Sequence, residues 1–444
     1  MTVEPSRRAQ FPLGASLTLA QLGGPGVQVG RGGPGVRIGR GSDPHRLLAA
    51  LRADEPVSWV PALGGWLVTS RATALELMRD TEIFTVDDPR FSTAQVVGPS
   101  MLSLDGTEHD RHRTPFADPF RRSAVHATFA EWSRAETRRL VAGLAPLGDA
   151  DLATDLAAPL AVSTVTRALG LVDVDQEQML GWYTAIVDAV VEAAAGRDVP
   201  PAGVAAVADL RLQVDRTVDE AGTSLLAAVA GTGTLGGDEV FSNTAILLFG
   251  AIETSQGMTA NALLHLLSHP DQLDEVRAGM SPERSRPANG SSGDRTSGEH
   301  GPGEHSPDEN PLLANAVEES LRFEPAVALV DRYATTDVEL GDARIAMGDL
   351  VSVAIAGVNR DPATFEDPDR FDVHRPNARQ HLSFVHGTHA CLGMHLARLE
   401  TREAIAAVLD LLPCVRLDAD RSLPPQGMIF CRTPSVVATW EADG

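Results

Sequence analysis

Residues 384–400 carry the most specific pattern in the chain: Phe-Val-His-Gly-Thr-His-Ala-Cys-Leu-Gly-Met-His-Leu-Ala-Arg-Leu-Glu. Cys391 lies between Gly387 and Gly393, immediately before a segment with helical spacing. Glycines permit a tight backbone turn, and the N–H groups at a helix start favour a thiolate over a thiol. A thiolate is the form of cysteine that binds a soft or borderline metal. The pattern therefore indicates one sulfur presented to a metal.

Two other interpretations of Cys391 are open from the residues alone. A lone cysteine is commonly a small buried hydrophobic residue, and it can also be the nucleophile of a hydrolase, paired with a histidine such as His386 or His389. The order Phe-x-x-Gly-x-His-x-Cys-x-Gly followed by Leu-Ala-Arg resembles the haem-binding signature of the cytochrome P450 family. The resemblance implies that Cys391 is the thiolate ligand of a haem iron, with Phe384 and His389 beside the cofactor.

Composition narrows the class of protein. The chain has 444 residues, 43% of them hydrophobic, with 37 Lys and Arg against 60 Asp and Glu, a net charge of −23. This charge argues against binding nucleic acid or an anionic membrane surface. Three cysteines do not make a disulfide scaffold in a chain of this size, which fits a reducing compartment. Nothing predicts a signal peptide or a membrane span, so we expect a soluble cytoplasmic protein.

Two stretches of low complexity predict the domain organisation. Residues 1–43 contain a duplication, with Gly-Gly-Pro-Gly-Val-Gln-Val-Gly-Arg at 23–31 followed by Gly-Gly-Pro-Gly-Val-Arg-Ile-Gly-Arg at 32–40. This content predicts a flexible segment; a phosphate-binding loop is the alternative, without the flanking strand and helix that it needs. Residues 279–310 predict a disordered surface loop. We expect one catalytic domain over residues 44–444, interrupted by that loop.

Residues 242–269 predict one long, mostly apolar helix with Gly-Ala-Ile-Glu-Thr-Ser at its centre. A glycine within a helix costs about 1 kcal/mol relative to alanine, and an unpaired buried charge costs more. Such departures tend to mark functional sites, although a hydrogen-bonded core glutamate is the alternative. The segment resembles the oxygen-binding groove of cytochrome P450 enzymes. The resemblance implies that Gly250 and Ala251 border the haem, that Thr254 holds oxygen and a water, and that Glu253 relays protons.

Three cationic residues fall where the family binds the haem propionates. His109 and Arg113 are four residues apart on one face of a predicted helix, and Arg332 lies in a predicted strand. A solvated polar helix end is the alternative for the first pair. The resemblance implies that all three bind propionates, because cationic donors suit carboxylates.

A second family motif lies upstream of the cysteine. Glu319 and Arg322 are three apart on a predicted helix, followed by Phe-Glu-Pro, and Arg375 comes in a later loop. An isolated Glu-x-x-Arg pair on a surface contributes little. In this position it resembles the family's Glu-x-x-Arg helix, which implies a buried network of Glu319, Arg322 and Arg375 with a structural role.

The remaining pattern predicts the fold class. Segments rich in Ala, Leu and Val between residues 124 and 230 predict several packed helices. Alternating runs predict small sheets, including hairpins at 57–68 and 426–440. We expect a mainly α protein with small β-sheets (α+β), namely the cytochrome P450 fold, with the long helix over a haem held by the cysteine loop.

The resemblance implies a haem-thiolate monooxygenase with haem b. It would activate O2 and insert one oxygen atom into a small, mostly apolar organic substrate. Its electrons would come from a ferredoxin and a ferredoxin reductase, since the chain has no Cys₄ set for an iron–sulfur cluster. Arg121, Arg122 and Arg398 predict a basic docking patch for that ferredoxin.

Other functions on the same fold stay open. They are oxidative coupling, nitration, a peroxide-driven reaction, or a non-catalytic haem-binding sensor or carrier. The Glu253–Thr254 pair argues against a carrier, which needs no proton delivery.

Overall fold

The computed structural model describes residues 7, 9–23, 44–171, 173–194, 196–219, 224–280 and 310–442, and over these ranges the protein is mainly helical with small sheets. The predicted α+β class is confirmed. The helices are α1 Pro12–Ser16, α2 Pro44–Asp54, α3 Arg71–Arg79, α4 Ser92–Val97, α5 Gly106–Ala117, α6 Arg122–Leu144, α7 Ala158–Leu169, α8 Gln176–Ala194, α9 Pro201–Asp219, α10 Leu225–Gly231, α11 Gly237–Leu267, α12 Pro270–Gly279, α13 Pro311–Phe323, α14 Ile355–Val358 and α15 Met394–Leu411. The strands are β1 Val57–Val60, β2 Gly65–Val68, β3 Phe84–Thr85, β4 Asp149–Asp151, β5 Leu329–Ala334, β6 Val338–Leu340, β7 Ala343–Ile345, β8 Leu350–Ala354, β9 Arg416–Leu417 and β10 Val437–Thr439.

The long helix α11 is the element on which the others pack. It has 31 residues and is therefore about 46 Å long. Its buried residues belong to both of the large apolar clusters, and the hydroxyls of Thr259 and Thr401 share a 2.9 Å hydrogen bond that joins α11 to α15. The predicted helix is confirmed, with a start at Gly237 rather than residue 242. No helix among the described residues is long and apolar enough to cross a membrane.

The largest sheet joins distant parts of the chain, in the strand order β1-β2-β8-β5-β3. The predicted hairpin of β1 and β2 is confirmed, with Val57 opposite Val68. Strand β2 then pairs in parallel with β8, and β8 pairs antiparallel with β5, which places Arg332 opposite Val351. The sheet thereby holds the strand that carries Arg332.

Packing begins nearer the N-terminus than the sequence predicts. Phe11 is 5% exposed, and its ring centroid lies 5.2 Å from that of Trp66. The Arg7 guanidinium lies 4.5 Å from the Trp59 ring centroid, and its Nη2 donates to Asp349 Oδ2 at 2.7 Å. Within the segment predicted to be flexible, residues 1–43, residues 9–23 are thus packed against the domain. Their apolar residues are isolated and follow no regular period, so no sequence pattern predicts this packing. Most of the duplicated tract, residues 24–40, lies outside the described residues.

Asn310 defines the base of the predicted surface loop, of which residues 281–309 lie outside the described residues. Its Oδ1 accepts from the backbone N–H groups of Leu312 and Leu313 at 3.0 and 3.3 Å and so caps α13. Its Nδ2 donates to the carbonyl of Val276 at 3.0 Å, near the end of α12. One side chain therefore joins the two helices that flank the loop.

The predicted hairpin at 426–440 is wrong in its pairing. Gln426 bridges Arg432 across a tight turn. Strand β10 instead pairs with β4 and β9 in a separate three-stranded sheet. Alternation predicts a strand but not its partner, and here one partner, β4, is distant in sequence. We call residues 426–433 the C-terminal segment.

Candidate functional site

The cysteine loop, residues 384–393, presents its sulfur at the start of α15. The Cys391 N–H donates to the carbonyl of Phe384 at 2.8 Å, which closes the loop. Gly387 has φ +84°, and a Cβ there would lie 2.7 Å from the carbonyl oxygen of Met78. Only glycine fits this turn. Backbone N–H groups at the helix start, including that of Gly393, point toward the sulfur.

Opposing effects act on the pKa of the Cys391 thiol. Its side chain is solvent-accessible, yet protein surrounds the sulfur closely, and this burial raises the pKa of the thiol above its usual value. The Gly393 N–H and the guanidinium groups of Arg113 and Arg398 act in the opposite direction. A metal cation at the sulfur would complete the stabilisation of the thiolate.

The middle of α11 has a solvent-accessible face although most of the helix is buried. Gly250 is exposed, and Ala251, Glu253 and Thr254 are half-buried; we call these four residues the central face. A Cβ added to Gly250 would meet no atom within 4 Å, and the Thr254 hydroxyl donates to the Gly250 carbonyl. Leu392, adjacent to the cysteine, packs in the same apolar cluster as Ala251. Both residues thus border one large apolar cluster.

Three basic side chains near the cysteine loop are buried or half-buried. Arg332 is 5% exposed, and its Nη1 donates to the Asp331 carbonyl at 2.7 Å. Arg113 donates to a carbonyl of the cysteine loop at 2.6 Å. Neither arginine forms an ion pair with a carboxylate of the described residues, and burial lowers the pKa of both. His109 is 2% exposed, and its Nε2 has no hydrogen-bond partner among the residues that the structure describes.

His389 reaches a carboxylate that sequence analysis did not single out. Its Nε2 lies 2.6 Å from Asp105 Oδ1, and its ring centroid lies 4.5 Å from that of His109. Asp105 also accepts hydrogen bonds from the Thr85 hydroxyl and the Val86 N–H, at 2.6 and 2.8 Å. Burial alone would raise the pKa of Asp105, but these hydrogen bonds hold it below the usual value. The only sequence signal was an Asp-Gly pair before a helix.

Glu253 joins two residues from other parts of the chain. The Tyr183 hydroxyl donates to Glu253 Oε2 at 2.8 Å, and Arg432 Nε lies 2.8 Å from Oε1. Burial and the adjacent carboxylate raise the pKa of Tyr183, so its phenol stays neutral and donates. The Tyr183 ring packs in the apolar core. No sequence motif pointed to Tyr183 or Arg432 as a partner of Glu253.

Glu319, Arg322 and Arg375 meet as the resemblance implies. Arg322 donates through Nε and Nη2 to the two carboxylate oxygens of Glu319 at 2.7 and 2.8 Å. Arg375 Nε lies 3.1 Å from both oxygens. The side chains of Glu319 and Arg322 are completely buried. The network ties α13 to the loop that precedes the cysteine.

Arg398 does not belong to the predicted docking patch. Its Nε and Nη2 donate to the carboxylate of Glu318 at 2.7 and 2.9 Å, and its guanidinium lies 4.4 Å from the Phe384 ring centroid. Burial alone would raise the pKa of Glu318, but hydrogen bonds from His381 and Arg398 hold it well below the usual value. Arg398 therefore supports the cysteine loop. Arg121 pairs with an exposed aspartate.

A surface groove of about 490 Å³ lies apart from these residues, between α8 and α9. It is lined by Leu180, Gly181, Thr184, Ala185, Asp188, Pro200, Ala202 and Gly203. Its single titratable side chain, Asp188, offers no constellation for catalysis.

Comparison with known proteins gives consistent matches. A family model described as "Cytochrome P450" matches residues 209–413. "Cytochrome P450 monooxygenase PikC" from Streptomyces venezuelae is 32% identical over 401 residues, covering 85% of this chain and 86% of that protein. "6-deoxyerythronolide B hydroxylase" from Saccharopolyspora erythraea is 30% identical over 407 residues, with coverages of 85% and 91%. The crystal structure of CalO2 superposes with a TM-score of 0.76 at 28% identity, covering 90% and 97%.

Proposed function

Because this chain belongs to the cytochrome P450 family and is a haem-dependent monooxygenase, we propose that it inserts one oxygen atom from O2 into a small, mostly apolar organic substrate. The proposed cofactor is haem b, with Cys391 as the ligand of its iron. The observation that supports the proposal most is a thiol toward which backbone N–H groups point at the start of α15, in a chain whose long helix α11 has an accessible face with an acid and an alcohol.

The residues present fit a haem. Its iron needs an anionic sulfur, which Cys391 supplies. Its two carboxylates need cationic or N–H partners. Among the described residues, buried Arg332 and half-buried Arg113 lack an anionic partner, and Nε2 of buried His109 lacks any hydrogen-bond partner. We propose that these three residues bind the propionates. We propose that His389, which contacts Asp105, is a further cofactor-binding residue. Phe384, Gly250 and Ala251 would border the ring.

When bound, haem supplies the reduction of O2 and the oxygen transfer. The residues of the chain position the reactants and deliver the protons. The Thr254 hydroxyl, which now donates to the Gly250 carbonyl, can turn to hold a water at the central face. The Glu253 carboxylate, 15% exposed, belongs to the residue before Thr254 and can pass protons from solvent toward the Thr254 hydroxyl. The aromatic rings of Phe249 and Phe430, with centroids 5.7 Å apart, limit the access of water.

We propose a ferredoxin and its reductase as the electron donors. Three cysteines, all free, do not provide the ligands of an iron–sulfur cluster, and free cysteines fit the cytoplasm that we propose as the location. A peroxide-driven reaction needs no proton path from solvent, so the Glu253–Thr254 pair favours O2 as the oxidant.

Spectroscopy and product analysis test this function. Holoenzyme is reduced under carbon monoxide, and the absorbance band specific to thiolate-ligated haem should appear. Apolar natural products are then screened for a high-spin shift, and each binder is incubated with ferredoxin, reductase and isotopically labelled O2. We expect one labelled oxygen atom in the product. Normal carbon monoxide binding without any product in this system would favour a sensor or carrier.

A further inference from the structure

Three residues of α11, spaced four apart, hold one residue of the C-terminal segment. Glu253, Gly257 and Asn261 lie on one stripe of the helix, and all three contact Arg432 or its backbone neighbours. A Cβ on Gly257 would lie 3.1 Å from Arg432 Cβ, so glycine permits the close approach. Asn261 donates to the carbonyl of Cys431 at 3.1 Å and accepts from the N–H of Thr433 at 2.8 Å, on either side of Arg432. The position of Arg432 is therefore fixed by the helix.

The Arg432 guanidinium uses few of its donors. Its Nε lies 2.8 Å from Glu253 Oε1, and its side chain is 39% exposed. Within the part of the chain that the structure describes, its two terminal nitrogens have no recorded partner. A guanidinium carries five N–H donors in a planar arrangement that binds carboxylates through two parallel hydrogen bonds. The edge formed by the terminal nitrogens is thus available to a ligand.

Aromatic residues lie in the same part of the structure as Arg432. The Phe430 ring, two residues before Arg432, lies 5.7 Å from the Phe249 ring, and the Tyr183 ring lies 6.2 Å from Phe249. Phe249 precedes Gly250, the exposed member of the central face. Arg432 is joined to the central face through Glu253, and aromatic rings flank both residues' segments.

We propose that Arg432 binds an anionic group, a carboxylate, on an otherwise apolar substrate. The inference rests on the proposed function, and it adds that the substrate lies within reach of both α11 and the C-terminal segment. Arg432 and Glu253 together are neutral, so an added carboxylate competes with Glu253 for the guanidinium. Removal of the Glu253 charge should then strengthen binding of the anion, whereas removal of the Arg432 charge should abolish its advantage.

Matched acids and amides test the proposal. The probes are decanoic, dodecanoic and diphenylacetic acids, each with its primary amide, and the dissociation constants are measured by calorimetry with the holoenzyme. We expect the wild type to bind at least one acid about tenfold more tightly than its amide, the size of one charge-assisted hydrogen bond. Arg432→Gln should remove the preference, and Arg432→Lys should retain part of it. Glu253→Gln should increase it.

Arg421→Gln is the matched control. Arg421 is half-exposed and pairs with Asp418 and Asp149, away from the site, so its replacement should leave the preference unchanged. Should Arg432→Gln fail to fold, the wild-type preference and the direction of the Glu253→Gln effect still decide the matter.

Three results would overturn the inference. They are the absence of any acid preference in the wild type, a preference that survives in Arg432→Gln, or weaker acid binding in Glu253→Gln. Any of these would leave Arg432 as a structural partner of Glu253. The proposed function would stand as long as the reduced carbon monoxide complex showed thiolate ligation, so the two failures are distinguishable.

Discussion

Cys391 is the residue on which ligation of the cofactor depends. Cys391→Ala and Cys391→His should each abolish the thiolate-specific band of the reduced carbon monoxide complex, because neither side chain supplies an anionic sulfur. Cys414→Ala is the control, since Cys414 is also an exposed free cysteine but lies after α15. Absorption spectra of the reduced, carbon monoxide-bound proteins measure the effect. A normal band in Cys391→His would contradict the assignment.

Thr254 is expected to direct protons rather than to hold the cofactor. Thr254→Ala should retain haem and substrate binding but divert reducing equivalents to hydrogen peroxide, because the water-holding hydroxyl is lost. The ratio of peroxide formed to NADPH consumed measures this diversion. Thr254→Ser, which keeps the hydroxyl, should stay close to the wild type. Unchanged coupling in the alanine variant would remove Thr254 from the proton path.

Glu400 makes the stability of the protein depend on pH. It is 1% exposed, its Oε1 has no hydrogen-bond partner within the described ranges, and burial raises its pKa to about 8. The folded state therefore binds this proton more strongly than the unfolded state. The resulting stability is complete at low pH and is lost as the pH rises through about 8.

Glu400→Gln should remove this dependence. Between about pH 5 and pH 8 the free energy of unfolding of the wild type should fall by up to several kcal/mol relative to the variant. Denaturant titrations at a series of pH values measure the difference. Glu403→Gln, on the same helix but paired with Arg134 at the surface, should keep the wild-type profile. Parallel curves for wild type and Glu400→Gln would show that Glu400 is ionised in the folded state.

Sequence motifs predicted most of the site residues but not their partners. Cys391 and the Glu319 network belong to contiguous patterns, which can be read without the fold. Arg432 contacts Glu253, and Asp105 contacts His389, although the partners are distant in sequence. No local pattern predicts such a pairing. Arg398 shows the converse: its charge was visible in the sequence, whereas the buried carboxylate of Glu318 that neutralises it was not.

At the scale of elements, the junction between α13 and the loop before the cysteine carries a buried charge network. Glu319→Gln leaves Arg322 and Arg375 without their shared carboxylate and should cost about 3–5 kcal/mol of stability. The yield of folded holoprotein and the midpoint of urea unfolding measure the loss. Arg344→Gln changes an 88% exposed charge and serves as the control. An unchanged midpoint in Glu319→Gln would show that the arginines find other partners.

Elements with a long or closed local pattern were predictable. The apolar run of α11 is long enough to fix its type, and β1 and β2 are joined by a short turn, so their pairing is local. Strand β10 pairs with β4, far away in the chain, and its partner could not be read from alternation. The packing of Phe11 against Trp66 was missed for the same reason.

At the scale of the whole molecule, we propose one catalytic domain with an insertion at residues 281–309. Replacing that stretch by a short Gly/Ser connection should preserve the haem spectrum and the unfolding midpoint, because Asn310 already holds α12 against α13. Asn310→Ala in the full chain is the companion variant and should lower the free energy of unfolding by about 1 kcal/mol through loss of a helix cap. A large loss of stability in the shortened chain would make the stretch part of the domain.

The parallel pairing of β2 with β8 has a consequence for synthesis in the cell. Residues 65–68 leave the ribosome early, but their neighbours at 350–353 emerge only after most of the chain has been translated. Until then the nascent polypeptide displays Trp66, Leu67 and Val68 on an open strand edge, which invites association with other chains. Slower translation at low temperature, or added chaperones, should therefore raise the recovery of native enzyme more than any change of purification conditions.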